Sequence, residues 1–465
     1  MQLISKILNF FFSTRLTGVL LIVFAIAMAA ATFIENDFGT QTSKALIYSA
    51  KWFEVLIVLL GINFMGNIAK YNMFSWEKAP LLLLHLAFII IILGAGITRY
   101  RGYEALVTIK EKESTNRILS IDSFLQVQAG DGKIQKNFAP KHVLMSKIGF
   151  NSINENYQFE DKNLNIKLKK YIPNAAYELL PTENGNDFLH VVISESDQRK
   201  DYYIKKGTRK NLFGFTIAYE TSEKLNDEIF ITETDSKYLA SFPQETTYFS
   251  MAENRSGLYP KDSLVPLNFR ALSEINKTPI VFNTVEKNKV LKLVEKPEDK
   301  TTKNPEAAVV LSVTSGKETK DVTLFGGPGY MNPTTTLFIN NLHVNMRYGS
   351  KPIQLPFHIG LKDFTLERYP GSDSPSAYYS DLEIKDKNES FDYQIFMNNV
   401  LDYKGYRFFQ SAYLPDESGT ILSVNHDKWG TIVTYIGYFL LALGMILTLL
   451  WNSKLFSFIP KPKIA

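Results

Sequence analysis

Four apolar runs interrupt an otherwise polar chain: Leu16–Ile34, Trp52–Ala69, Leu81–Ile97 and Gly430–Leu450. At 1.5 Å of rise per residue each covers roughly 25–30 Å, about the thickness of a bilayer's hydrocarbon. Between the third and fourth runs the pattern changes to period two, in ALVTIKE near Ala105, LNIKLKKYI near Leu164, FLHVVIS near Phe188, VVLSVTS near Val309 and LEIKD near Leu382. Alternation of this kind marks strands, and clusters such as AGDGK, ENGND and YPGSDSP separate them as turns do. The pattern predicts an integral membrane protein with four transmembrane α-helices, three N-terminal and one C-terminal, and a large β-rich domain between helices three and four. Its segments are 1–98 (three helices), 99–429 (β-rich) and 430–465 (last helix and a short tail). The charged, proline-containing stretch from Glu295 to Glu306 reads either as a divider between two β lobes or as a loop insertion in one.

Basic residues orient this plan. Lys6 and Arg15 precede the first run, Lys70 and Lys78 lie between the second and third, and Lys454, Lys461 and Lys463 follow the fourth. The positive-inside rule then predicts cytoplasmic termini and an exported β-rich domain. The first run is longer than the core of a cleavable signal, so a retained helix is expected there. Trp52, Trp429, Tyr435 and Trp451 fall near run ends, as an aromatic belt requires. The chain has no cysteine, which excludes a disulfide framework, thiol redox chemistry and a covalently held c-type haem of its own. A net charge of +4 over 465 residues makes no case for nucleic acid.

No soluble catalytic motif is present: there is no GxSxG, Walker loop, HExxH or CxxC, and GGPG at Gly326–Gly329 reads as a turn. His190, His343 and His358 sit in alternating stretches and read as strand residues, and His142 as a loop residue. His426, in SVNHDKWGT just before the last run, is placed at the outer membrane surface as a candidate ligand or docking contact. His85 differs from all of these because it lies inside LLLLHLAFIIIILGAGI, with no charge near it. An imidazole in hydrocarbon costs a few kcal/mol unless it meets a partner or ligand. Two readings follow: an interhelical hydrogen bond, or axial ligation of haem iron by neutral imidazole. With one such histidine, a six-coordinate haem would take its second ligand from another polypeptide. On this topology His85 lies in the cytoplasmic part of the bilayer. In the second run Asn63, Gly66 and Asn67 share a face and predict helix contact, and Gly94 and Gly96 in the third predict close helix approach.

Several long stretches, in order, resemble the ResB (CcsB) family of cytochrome c biogenesis proteins: ATFIENDFGT from Ala31, the His85 run continuing to TRYRGYE, QLPFHIGLKDFTLERYPGS from Gln354, DYKGYRFFQSAY from Asp402 and GTILSVNHDKWGT. They are most similar to the CcsB half of fused CcsBA proteins. The resemblance implies a multi-pass protein of the bacterial inner membrane, working in the system II haem lyase for c-type cytochromes. It implies His85 as one axial ligand of a transient haem b shared with a CcsA (ResC) partner, which presents haem to the CxxCH of apocytochrome c. The tryptophan-rich segment and external histidines of CcsA have no counterpart in these residues, so an accessory subunit is expected rather than a complete lyase. A structural assembly factor whose histidine only packs or hydrogen-bonds, and a b-type electron-transfer subunit, are the alternatives. The stretches from Gln354 and Asp402 carry no role the sequence assigns.

Overall fold

The computed structural model describes residues 2–195, 198–212, 215–235, 237–275, 278–297, 305–387 and 389–451. The expected tail lysines Lys454, Lys461 and Lys463 lie outside them, as do residues 298–304 of the expected linker. Among the described residues four helices are long and apolar enough to cross a membrane, and the β-rich region lies between the third and fourth. In chain order the helices are α1 (Gln2–Phe11), α2 (Thr14–Phe38), α3 (Thr40–Ser43), α4 (Lys51–Lys70), α5 (Ala79–Arg101) and α6 (Lys428–Leu450).

Helix α1 was not expected. It abuts α2 at Ser13, whose hydroxyl caps α2 by accepting from Leu16 N at 3.2 Å. The junction is held by the polar face foreseen on the second span. Asn63 Nδ2 donates to Phe11 O (2.6 Å) and Ser13 O (3.3 Å), Thr17 Oγ1 donates to Asn63 Oδ1 (2.5 Å), and Asn67 Nδ2 donates to Thr17 Oγ1 and Asn63 Oδ1 (both 3.0 Å). Gly66 receives the Phe12 ring so closely that a Cβ there would sit 1.9 Å from Phe12 Cδ1.

Helices α5 and α6 run antiparallel in intimate contact. Gly430, Gly437 and Gly444 recur every seven residues on α6, and a Cβ on them would strike Thr98 Oγ1 (2.2 Å), Ile91 Cγ1 (2.6 Å) and Leu84 Cδ2 (2.9 Å) of α5. Small residues in this register let two backbones approach where no hydrophobic effect drives association. Gly94 belongs to the same seam, with Thr434 Oγ1 2.3 Å from its would-be Cβ, but Gly96 faces open space, contrary to expectation. The Trp451 indole donates to Glu77 O (3.1 Å) at one end, and Thr98 Oγ1 donates to Asp427 Oδ2 (2.5 Å) at the other. Arg99 donates to Ser49 O (3.2 Å) and Glu54 Oε2 (3.3 Å), tying the end of α5 to the start of α4.

The chain divides into two compact units, 1–174 with 297–465, and Ala175–Lys296. In the first, an eight-stranded antiparallel sheet runs in the order Ser390–Phe396, Pro375–Lys385, Pro352–Arg368, Ser114–Ser120, Tyr103–Lys110, Gly419–His426, Tyr406–Tyr413, Leu401–Tyr403. Within it the first and last strands of the β-rich region pair, with Tyr103 opposite His426. The strands that follow α5 and precede α6 are therefore neighbours, as the two helices are. A second layer pair in this unit packs a four-stranded sheet on a five-stranded one around Leu125, Val127, Leu164, Ile166, Val309, Leu311, Val344 and Met346. His142, expected in a loop, belongs to the two-residue strand Lys141–His142 paired with Phe124 and Leu125.

The second unit is an insertion. Lys162–Ile172 and Ala307–Ser315 pair directly across it, Ile172 opposite Ala308, and Asn174 Nδ2 donates to Pro297 O at 2.9 Å where the chain leaves and returns. Within the unit a six-stranded and a five-stranded sheet enclose Leu189, Val191, Ile217, Tyr219, Ile231, Phe242 and Phe282.

Candidate functional site

His85 is the seventh residue of the 23-residue α5, about 9 Å from its start and about 24 Å from Arg101. Its Nδ1 lies 2.9 Å from Leu81 O, one turn earlier. A carbonyl only accepts, so Nδ1 carries the proton and, in the neutral ring, Nε2 keeps its lone pair. The ring meets Phe64 of α4 edge-on (centroids 5.6 Å apart, 87° between planes), and Phe64 stacks on Phe88 at 5.0 Å. His85 is half-buried on the surface of the helix bundle, and among the described residues Nε2 makes no hydrogen bond. Among the described residues its one polar bond is to its own helix, not to a neighbouring one. Among the described residues no group of three histidines or acids is poised to hold a metal ion.

The arrangement fits a haem ligand. Anchoring one ring nitrogen on a backbone carbonyl fixes tautomer and orientation, which is the usual second contact of a metal-binding histidine. The ring packs on Phe64, itself stacked on Phe88, and Nε2, unbonded among the described residues, keeps its lone pair for a metal.

His426 stands elsewhere, at the head of α6. It stacks on Tyr103 (4.8 Å, 17°) and tilts against Tyr406 (4.4 Å). Burial and the bond to the Tyr406 hydroxyl (3.2 Å) push the Tyr103 phenol above its ordinary pKa. A shallow pocket beside His426 is rimmed by Ile97, Arg101, Lys404, Gly405, Asp427, Lys428 and Trp429. Gly405, at φ +85°, closes the Tyr403–Tyr406 hairpin, a position in the left-handed region that favours glycine. The length of α5 separates His426 from His85, so the two cannot bind one iron.

The histidines read as strand residues do lie in strands. His190 is fixed between Asp201 Oδ1 (2.7 Å) and Asn283 Nδ2 (3.0 Å), His343 packs on Phe338, and His358 is an exposed strand residue opposite Lys385. The stretches from Gln354 and Asp402 meet in one core, where Phe357 packs on Tyr403 (4.9 Å), Tyr406 (5.8 Å) and Phe408 (6.1 Å). They thus build the wall behind His426. Sequence reasoning missed this cage because Tyr103 and Phe357 come from strands far in sequence from the hairpin and last strand that carry Tyr403, Tyr406, Phe408 and His426. It also missed Asp122, which lies 3.5 Å from both Lys44 Nζ and His142 Nε2.

Comparison with known proteins agrees with the likeness read from the residues. Residues 332–428, which include the Gln354 and Asp402 stretches and His426, match the model of the ResB-like family. Along 436 residues, 93% of this chain, it is 29% identical to Protein NrfI of Wolinella succinogenes, of which it covers 33%. The chain therefore spans about a third of the length of that relative. The ResB-type likeness is supported: residues 332–428 match the ResB-like family model, and over 93% of its length the chain is similar to NrfI.

Proposed function

We propose that this chain serves cytochrome c biogenesis as a ResB/CcsB-type subunit of a system II haem lyase. On this reading it is a multi-pass inner-membrane protein with cytoplasmic termini and the β-rich region exported. His85 holds haem b through Nε2, a CcsA/ResC-like partner supplies the second ligand, and the pair presents haem to apocytochrome c. Bound haem supplies the vinyl groups that become thioethers on the acceptor's cysteines. This chain's own work is to bind and orient: Leu81 O sets the imidazole, Phe64 and Phe88 flank it, and the apolar span excludes water. The observation that carries the proposal is the Nδ1 bond to Leu81 O, which leaves Nε2 with its lone pair and, among the described residues, no hydrogen bond, in an apolar span.

Chemical rescue tests it. In cells expressing the partner subunit, His85→Gly is expected to abolish maturation of c-type cytochrome, and added imidazole to restore a substantial part of it. Full maturation by His85→Gly without imidazole would contradict the proposal.

A further inference from the structure

The loop from Ser146 to Asn151 points to a second membrane contact, made by the β-rich region itself. The loop is braced from within. Ser146 N donates to Asn151 Oδ1 (2.7 Å), Asn151 Nδ2 donates to Ser146 O (2.8 Å), Ile148 N donates to Ser146 Oγ (3.2 Å), and Gly149 turns at φ +87°. It is also docked. Lys147 N donates to Thr42 Oγ1 of α3 (3.1 Å), and Leu46 Cδ2 lies 3.5 Å from the place of a Cβ on Gly149. Leu46 O in turn accepts from the Trp52 indole (3.0 Å) in the first turn of α4.

From this fixed platform Phe150 projects with 104% relative exposure and Ile148 with 37%, while Trp52 is 48% exposed. Scattered exposed apolar residues are ordinary, but a braced loop that extends a whole aromatic ring is not the outcome of slack. Its position names what covers it. The segment it docks on, residues 39–50, joins the end of α2 to the start of α4, two helices long and apolar enough to cross a membrane; on the proposed reading of them as spans, the loop is placed where hydrocarbon gives way to headgroups. Residues 145–151 contain one lysine and no acid, the charge balance that suits lipid phosphates.

We propose that Ile148–Gly149–Phe150 is a membrane-dipping finger that enters the interfacial layer of the same bilayer and fixes how the eight-stranded sheet and its neighbouring sandwich sit on it. The absence of cysteine allows a direct test on the full chain. Phe150→Cys and, separately, Ile148→Cys are labelled with an environment-sensitive fluorophore, and Asp373→Cys in the exposed turn after Arg368 is the control. Each protein is placed in phosphatidylcholine nanodiscs with nitroxide-labelled lipid. The expected result is blue-shifted emission at 150 and 148, quenched several-fold more strongly than at 373 and most by nitroxides near the headgroup. Emission and quenching equal to those at 373 would overturn the proposal. So would a blue shift without lipid quenching, which would mean that protein covers the finger instead.

Discussion

Asp122 shows how much a single carboxylate can couple. It stands between His142 on the β-rich region and Lys44 on the short π-helix Lys44–Tyr48 that follows α3, and Lys44 also approaches Glu104 at 3.9 Å. The hydrogen bond from His142 and the charge of Lys44 hold the Asp122 carboxyl below its ordinary pKa. A carboxyl depressed in the folded state contributes stability that is present above its unfolded value, about 3.9, and is lost as pH falls through the folded value. Hydrogen exchange of residues 40–48, taken relative to the intrinsic amide rate at each pH, is therefore expected to be slow at pH 6–7 and to rise below about pH 4. Asp122→Asn should raise it at neutral pH and flatten that acid limb; an unchanged profile would remove Asp122 from this role. At this scale His85 was legible because its run carries no charge, and a lone imidazole in such a run demands a cause. The bond to Leu81 O was not legible, since a rotamer choice leaves no trace in spacing. Nor was Asp122, whose partners lie 78 residues before it and 20 after.

Among the elements, the α5–α6 seam carries the most specific packing. Its glycines at 430, 437 and 444 leave no room for a side chain, so Gly437→Val is expected to overpack the seam and cost about 1–3 kcal/mol. Detergent unfolding should show the loss. Gly96→Ala, facing open space, should unfold like the parent and so serves as the control; equal stability of Gly437→Val would contradict the packing described. The four long helices were readable from apolar length alone. Helix α1 was not, because ten residues directly before a span merge with it in any hydropathy reading, and only the caps at Ser13 and the Asn63 bonds separate the two. Strands were readable wherever one face is buried, as in Ala307–Ser315 with its alternating burial. Their partners were not, since pairs such as Tyr103 with His426 join residues more than three hundred positions apart.

For the whole molecule, the central organisational fact is that strands Lys162–Ile172 and Ala307–Ser315 pair as though nothing lay between them. The unit Ala175–Lys296 has its own core, and its ends meet at Asn174 and Pro297. Removing Ala175–Lys296 is therefore expected to leave the first unit folded, with one cooperative melt and retained α-helical and β signals in circular dichroism. Aggregation or loss of β signal would show that the inserted unit is required for the fold. The functional account rests on one imidazole of the first unit whose Nε2 makes no hydrogen bond among the described residues. The most direct test is the visible spectrum of the chain purified with the CcsA-like partner proposed for it. The parent complex is expected to show a Soret band of six-coordinate haem, and His85→Ala to lose most of it while the complex stays assembled. An unchanged Soret band in an intact His85→Ala complex would contradict ligation by His85.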